Sequence, residues 1–318
     1  MKIFVTGGTG FIGHYVVKRL KQTDHEVFCL VRPTSDSSDL QSMDVHLITG
    51  DVTDKSSLLN GMKGMDWVVH LANIYEFWLP DMRQLKKTNV DGTVNVMQSV
   101  LETGVSKVVH ISTVGIFGDA SPQPFNEDTP PGPNRPSEYA RTKYEGERRC
   151  WELYEQEGLP LVVIYPGGVL GPGDKKASGQ YIRMIATRKM PASVFDNSVL
   201  TWVHVEDVAE AIVQALLHEN NIGEKYLIGK EHLSFREFNQ LICQVAGVPM
   251  PKLAFPDWLV FFTAGLLTPL ANLFKKPPML GMSLDQTKTM KQGFVFDGSK
   301  AERELGIEYR PVKEAINV

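Results

Sequence analysis

Cysteine is scarce in this 318-residue chain. Cys29, Cys150 and Cys243 stand far apart, in no CxxC or other metal-ligand spacing, and their odd number argues against a secreted disulfide framework. Reduced thiols in a cytoplasmic protein are the expectation. An excess of one charge is also lacking: 33 Lys and Arg stand against 37 Asp and Glu, a formal net charge of −4. Such a chain offers no broad basic field for nucleic-acid phosphates, which excludes nucleic acid as the expected partner. A long hydrophobic run is missing as well. The most apolar stretch, 259–274, is too short for a clean span and contains Pro269, so no integral membrane segment is expected. A buried lid helix or a surface that touches lipid are the readings left for it. Residues 2–6 already read as a buried strand running into a glycine turn, which leaves no room for a signal peptide. Repeats and low-complexity tracts are absent. What is present, 42% hydrophobic and 22% charged residues, suits one large core or a core with a smaller lobe.

The apolar runs Ile3–Val5, Val27–Val31, Val45–Ile48, Trp67–His70, Val108–Ile111 and Leu161–Ile164 are short, rich in β-branched residues and nearly continuous, as strands covered on both faces are. Helical spacing fills most of the intervals, at 11–22, 82–103 and 137–157. The alternation predicts an α/β protein with a doubly wound parallel sheet, a Rossmann fold, over residues 1–170. From 171 the pattern changes after Gly171-Pro172-Gly173. Helices near 179–189, 206–218 and 234–246 mix with short strands, predicting a smaller mixed substrate lobe over 171–318, interleaved with the core sheet at about 200–230. The segment Asp119–Pro136 holds five prolines before Pro136 and is expected to be an ordered surface loop without regular structure.

Three features carry chemistry. Gly7-x-x-Gly10-x-x-Gly13 lies between the first strand and the first helix. There the first glycine permits a tight turn, the second a close approach of pyrophosphate, and the third close packing of helix on strand. After the second strand comes Arg32, where an NAD site wants a carboxylate and an NADP site a cation for the 2′-phosphate, so NADP is preferred; Asp36 or Asp39 could reach a ribose if the loop folds back. Tyr139 and Lys143 sit four apart on a helix, on one face. A tyrosine near pKa ~10 is a poor acid or base at neutral pH, but a nearby cation favours its phenolate and lowers that value.

Thr6-Gly7-Gly8-Thr9-Gly10-Phe11-Ile12-Gly13, His70–Asn73, Thr88–Thr93, Ile111–Gly118, Tyr139–Lys143, Tyr165–Asp174, Trp202–Ala209 and Phe296–Lys300 together resemble the extended short-chain dehydrogenase/reductase family, in particular its dihydroflavonol 4-reductase-like group. The resemblance runs along nearly the whole chain. It implies Tyr139 as catalytic acid/base, Lys143 as its electrostatic partner and a ribose ligand, and Thr113 as the hydroxyl that orients the substrate carbonyl, with neighbouring Ser112 able to substitute. It further implies a dinucleotide held by Gly7, Thr9, Gly10, Phe11, Ile12, Gly13 and Arg32, with Asp51 and Val52 by the adenine. Leu71, Ala72, Asn73, Asn89 and Ser112 would lie along its path, and Pro166, Gly167 and Val169 by the nicotinamide. Asn73 departs from the small residue common at its position and is assigned to the substrate too.

The aromatic cluster Tyr75, Phe77 and Trp78 follows a strand's C-terminal end, where ligands bind in open α/β sheets, so Tyr75 and Trp78 join Asn73 and Thr113 as substrate candidates. His204, Glu206 and Asp207 read as helix capping rather than metal ligation, and no metal is expected. His70 reads as a core strand residue. Phe261, Phe262, Leu266 and Leu267 read as core. The function these features predict is NADPH-dependent reduction of a ketone or aldehyde, or the reverse oxidation, on a small hydrophobic or ring-containing molecule. Two rivals are a nucleotide-sugar epimerase or dehydratase and a non-catalytic NADP-binding regulator. Dehydratases of this kind tend to carry Asp-Glu directly after the catalytic threonine, where this chain has Val114-Gly115. The resemblance also implies a homodimer through the helices near 89–103 and 138–157.

Overall fold

All six apolar runs become strands in the computed structural model, which describes residues 1–316. In chain order the strands are β1 (Lys2–Thr6), β2 (Glu26–Val31), β3 (His46–Thr49), β4 (Trp67–His70), β5 (Lys107–Ile111), β6 (Leu161–Pro166), β7 (Gly168–Leu170), β8 (Ser193–Val194), β9 (Val199–His204), β10 (Lys225–Ile228), β11 (Glu231–Ser234) and β12 (Ala254–Phe255). Seven of them form one parallel sheet in the order β10-β6-β5-β4-β1-β2-β3. The order reverses at β1, and the crevice between the ends of β1 and β4 is where such sheets hold their ligands.

Period-two alternation distributes the core. From β1, Ile3 and Val5 enter the cluster under the helices Phe11–Leu20 and Val205–Leu217. Phe4 points the opposite way, into the cluster under Lys55–Met62, Thr93–Thr103 and Glu138–Glu157. Val5, Val69, Val109 and Ile164 are fully inaccessible, and each such side chain contributes roughly 1.5–3 kcal/mol over leaving it in water. The sheet is therefore covered on both faces, as the unbroken apolar runs require.

A second body is built from β7, β9 and β11, which form a three-stranded sheet, from the β8–β12 pair, and from the helices Ala177–Ala186, Phe235–Ala246, Asp257–Phe274 and Leu284–Gln292. It has its own apolar cluster, including Trp202, Phe235, Phe238 and Ile242. Between β9 and β11 the chain returns to the core, adding the helix Val205–Leu217 and the edge strand β10.

Two expectations from the sequence are corrected. Residues 119–136 are not only a surface loop: Phe125 is 1% exposed, stacks on Phe117 and bridges to Phe296. Phe262 and Leu266 are not core residues, being 59% and 54% exposed on the outer face of Asp257–Phe274. His204 does cap its helix, its Nδ1 accepting from Glu206 N at 3.1 Å, while Asp207 is held by the backbone N–H and guanidinium of Arg310. His70 is 1% exposed in the core.

Candidate active site

The glycine turn follows β1 and meets the end of β4. Gly7 has φ +77°, and a Cβ there would stand 2.6 Å from Ala72 N; a Cβ on Gly13 would stand 2.1 Å from Gly7 O. Both positions need glycine for the packing of the protein itself. Gly10 differs: a side chain there would meet only Gly7 O, at 3.2 Å, so its bareness keeps an outer surface open. Gly10 also stands at the N-terminus of Phe11–Leu20, where no side chain caps the helix and no acidic residue occupies the first turn. The free N–H groups and positive end of the helix dipole are left for an outside anion. Thr9 is exposed, while Ile12 packs on the core and Phe11 lies against Gly171.

Arg32 directly follows β2 and is exposed, its Nε donating to Ser35 Oγ at 3.4 Å. Asp36 is already engaged, accepting from Ser38 N and Ser38 Oγ at 3.0 and 2.7 Å, bonds that hold its carboxyl below the usual range. Asp51 accepts from Thr53 N and Oγ1, both at 2.8 Å. Val52 is buried against Gly92, and its carbonyl accepts from Asn95.

Leu71, Ala72 and Asn73 line the end of β4. Thr6 Oγ1 lies 2.7 Å from His70 Nδ1 and accepts from Ala72 N at 3.3 Å, tying the two strand ends together. Asn73 donates to Leu71 O at 2.9 Å, whereas its buried Oδ1 has no partner among the described residues. An orphaned buried acceptor is costly unless a ligand satisfies it.

Asn89 is different. It sits in a π-helical turn, Lys87–Gly92, accepts from Ile74 N at 2.8 Å and donates to Ile74 O and Thr142 Oγ1 at 3.1 and 3.3 Å. Its amide hydrogens latch the loop after β4 to the helix Glu138–Glu157, which makes Asn89 a positioning residue for that loop.

Tyr139 and Lys143 project from Glu138–Glu157, which starts at a Ser137 cap whose Oγ accepts from Ala140 N at 3.2 Å. Gly146 lets this helix approach the core: a Cβ there would come within 2.4 Å of Asn89 O. Tyr139 is 8% and Lys143 2% exposed. Lys143 Nζ donates to Ile111 O at 2.7 Å, and burial lowers its pKa to about 8 against the opposing pull of Glu147. Burial also drives the Tyr139 phenol above its usual value, with Tyr75 adding to the rise and a Thr113 hydrogen bond opposing it. The expectation of a lowered tyrosine pKa is thus reversed, because desolvation outweighs the hydrogen bond and Lys143 contributes no offset. Thr113 follows β5 and caps the short turn Val114–Phe117, its Oγ1 accepting from Gly115 N at 3.2 Å.

Tyr75 and Phe77 wall the phenol, with ring centroids 5.0 and 6.2 Å from that of Tyr139. Trp78 donates its indole N–H to Asn272 Oδ1 at 2.8 Å, and it is Phe77 that joins Tyr75 as the second ring against the phenol. On the other side, β6 ends at Pro166. Gly167 N donates to Ile228 O at 3.0 Å, and Val169 of β7 pairs with Val203 of β9. Ser112 is turned inward, donating to Glu147.

Glu147 itself was not singled out in the sequence. It is 4% exposed, accepts from Ser112, from Tyr165 at 2.5 Å and from Trp151 at 3.1 Å, and its carboxyl pKa is raised by burial. Its spacing of four from Lys143, the same-face interval, was the available signal.

A parallel sheet with a glycine-rich phosphate turn at its switch point, and a buried Tyr-Lys pair beside it, defines a dinucleotide-dependent enzyme of the Rossmann class. The profile of the NAD dependent epimerase/dehydratase family matches residues 3–229, and the chain belongs to that family, which comprises oxidoreductases, epimerases and dehydratases of the extended short-chain type. It is 30% identical over 98% of its length to a Synechocystis sp. protein named "Putative dihydroflavonol 4-reductase", covering 92% of that protein. It is also 30% identical to the "Sterol demethylase protein B" of Methylococcus capsulatus, over 96% of this chain and 93% of that one. The crystal structure of gox2253 superposes with a TM-score of 0.84 at 33% identity, covering 99% of this chain and 95% of that one.

Proposed function

We propose that the chain reduces a ketone or aldehyde on a small hydrophobic or ring-containing molecule with NADPH. The observation that carries this reading is the buried Tyr139 phenol, walled by Tyr75 and Phe77, beside the open glycine turn. The phenol carries the proton that carbonyl reduction needs, and its release is favoured as negative charge develops on the bound carbonyl oxygen, with the Lys143 ammonium four residues along the same helix face as its electrostatic partner. The bare surface at Gly10, the uncapped helix and the orphaned Asn73 Oδ1 fit a dinucleotide. Phe11, Ile12 and Gly13 would hold its pyrophosphate, Asp51 and Val52 would lie by the adenine, and Leu71 and Ala72 along its path. Lys143 would meet the nicotinamide ribose, and Pro166, Gly167 and Val169 the nicotinamide. When bound, that group supplies the hydride.

The residues of the chain do the rest. Thr113 and Tyr139 donate hydrogen bonds to the carbonyl oxygen, and Tyr139 yields its proton as negative charge develops there. Tyr75 and Phe77 present an apolar surface to the substrate and keep water from the proton donor. The two residues after Thr113 are Val114, 5% exposed, and Gly115, packed against Ala140, neither of them the carboxylate a dehydratase would carry there. The assay that decides the reaction offers aromatic and alicyclic carbonyl compounds with NADPH; one NADPH oxidised per carbonyl reduced is the expected result. Conversion of a substrate with no net oxidation of NADPH would instead mean an epimerase or dehydratase.

Arg32 is assigned to the 2′-phosphate of NADPH. An exposed guanidinium whose one bond among the described residues is a long one to Ser35 is available for it, and a charge-assisted bond of this kind contributes roughly 1.5–3 kcal/mol. Arg32→Ala is therefore expected to raise KM for NADPH about ten- to hundredfold and to leave KM for NADH nearly unchanged. Equal losses with the two cofactors would remove the assignment.

A further inference from the structure

The helix Asp257–Phe274 turns its apolar side outward. Trp258, Phe262, Leu266 and Leu270 recur every fourth residue and are 69%, 59%, 54% and 49% exposed, and Leu273 and Phe274 follow at 72% and 65%. The side packed on the protein buries Val260, Ala264 and Ala271, smaller residues than those it exposes. Beyond the ends of the helix, Leu253 and Met279 extend the surface at 61% and 66% exposure. An apolar patch of this extent marks an interaction site.

From this stripe and its charges, we infer that the outer face of Asp257–Phe274 docks on the surface of an anionic lipid bilayer, lying in the plane of the interface. Exposed Lys252 stands before the helix, and exposed Lys275 and Lys276 directly after it. Asp257, the carboxylate within the helix, is paired with Lys291 at 2.5 Å, and Asp81 by the C-terminal end is paired with Arg83. An apolar stripe with tryptophan near one end and lysines at its borders is the arrangement that inserts into the acyl boundary while its cations meet lipid phosphates. This local basic rim stands against a net charge of −4 for the whole chain.

At 18 residues the helix is long and apolar enough to cross a membrane, but its attachments to the rest of the fold favour the in-plane arrangement. It is fastened along its length, by Phe195 against Phe261 with centroids 5.7 Å apart, by Leu284 N to Thr268 Oγ1 at 2.9 Å, by Trp78 to Asn272 at 2.8 Å and by Lys275 Nζ to Pro80 O at 3.1 Å. A second copy of the chain is the poorer occupant. An antiparallel two-fold pairing of this helix would bring the lysine-flanked ends together, like charge against like. The same loop that holds the helix, through Trp78 and Pro80, walls the Tyr139 phenol through Tyr75 and Phe77. Docking thus brings the mouth of the site to the lipid surface, a consequence that rests on the proposed reaction where the docking itself does not.

Flotation of the full chain with vesicles tests this. The wild-type protein is expected to float with vesicles of equimolar phosphatidylcholine and phosphatidylglycerol, and more weakly with phosphatidylcholine alone. Phe262→Asp with Leu266→Asp should lower the partition coefficient by more than about tenfold on both vesicles. Lys252→Glu with Lys276→Glu should lower it chiefly on the anionic ones. These side chains are exposed, so circular dichroism and thermal unfolding should match the wild type. A wild-type protein that stays in the soluble fraction with both vesicles overturns the inference. So does an aspartate variant that floats equally well, or a concentration-dependent dimer in gel filtration that this variant abolishes. Flotation is read without turnover, so its outcome is separate from that of the carbonyl assay.

Discussion

Replacing Tyr139 by phenylalanine is expected to lower kcat for carbonyl reduction by about 10²–10⁴-fold, the range lost when a positioned proton donor is removed. The substitution isolates the hydroxyl. The ring of Tyr139 packs edge-on against Tyr75 and Phe77, and phenylalanine preserves those contacts. Lys143 and its bond to Ile111 O do not depend on the phenol, so the dissociation constant for NADPH, read by fluorescence titration, should change by less than about threefold, or ~0.7 kcal/mol. A variant that turns over a verified carbonyl substrate at the wild-type rate would remove Tyr139 from the chemistry.

Gly13→Ala should have the other large effect, in which folding and cofactor binding fail together. The new methyl would lie 2.1 Å from Gly7 O and 2.8 Å from Gly8 Cα, both backbone atoms. Gly7 cannot retreat, because its carbonyl accepts from Gly10 N at 3.0 Å and its own Cα faces Ala72. Forcing the turn open is expected to cost roughly 2–4 kcal/mol of stability. It should also weaken NADPH binding by more than about a hundredfold, since the N–H groups at the helix start no longer converge. Gly10→Ala supplies the contrast. Its methyl meets only Gly7 O at 3.2 Å, so the melting temperature should hardly move while dinucleotide affinity falls. If both variants melt like the wild type and bind NADPH normally, the turn is not the phosphate site.

The parts of this molecule that could be read from sequence are those set by short-range rules. A parallel sheet covered on both faces demands unbroken apolar runs, and these located β1 to β6 within a residue or two. The glycine spacing was legible because two of its three glycines are required by backbone collisions inside the protein. The Tyr139–Lys143 interval is a property of any helix.

What was not legible depends on residues distant in the chain. Phe125 becomes core only because Phe296 and Phe117 lie beside it. Trp78 is tied by its indole to the distant Asn272, and it is Phe77 that packs against the phenol. Phe262 and Leu266 look like core in any one-dimensional reading, since hydrophobicity alone does not say which side of a helix faces the protein. The direction of the Tyr139 pKa was missed because proximity to Lys143 is visible in the sequence and desolvation is not.

The way the chain returns to the core between β9 and β11 bears on how such an enzyme could be re-engineered. The second body is not a cassette. Its apolar cluster draws on residues from 170 to 202, from 235 to 260 and again from 312 to 316, while residues 203–228 and 301–307 belong to the core beneath. Recombination at a single breakpoint would therefore always split one of the two clusters. On the proposed reading, in which Tyr75 and Phe77 face the substrate, new substrate preferences are more accessible to point changes in the loop Tyr75–Pro80 than to exchange of whole segments between relatives.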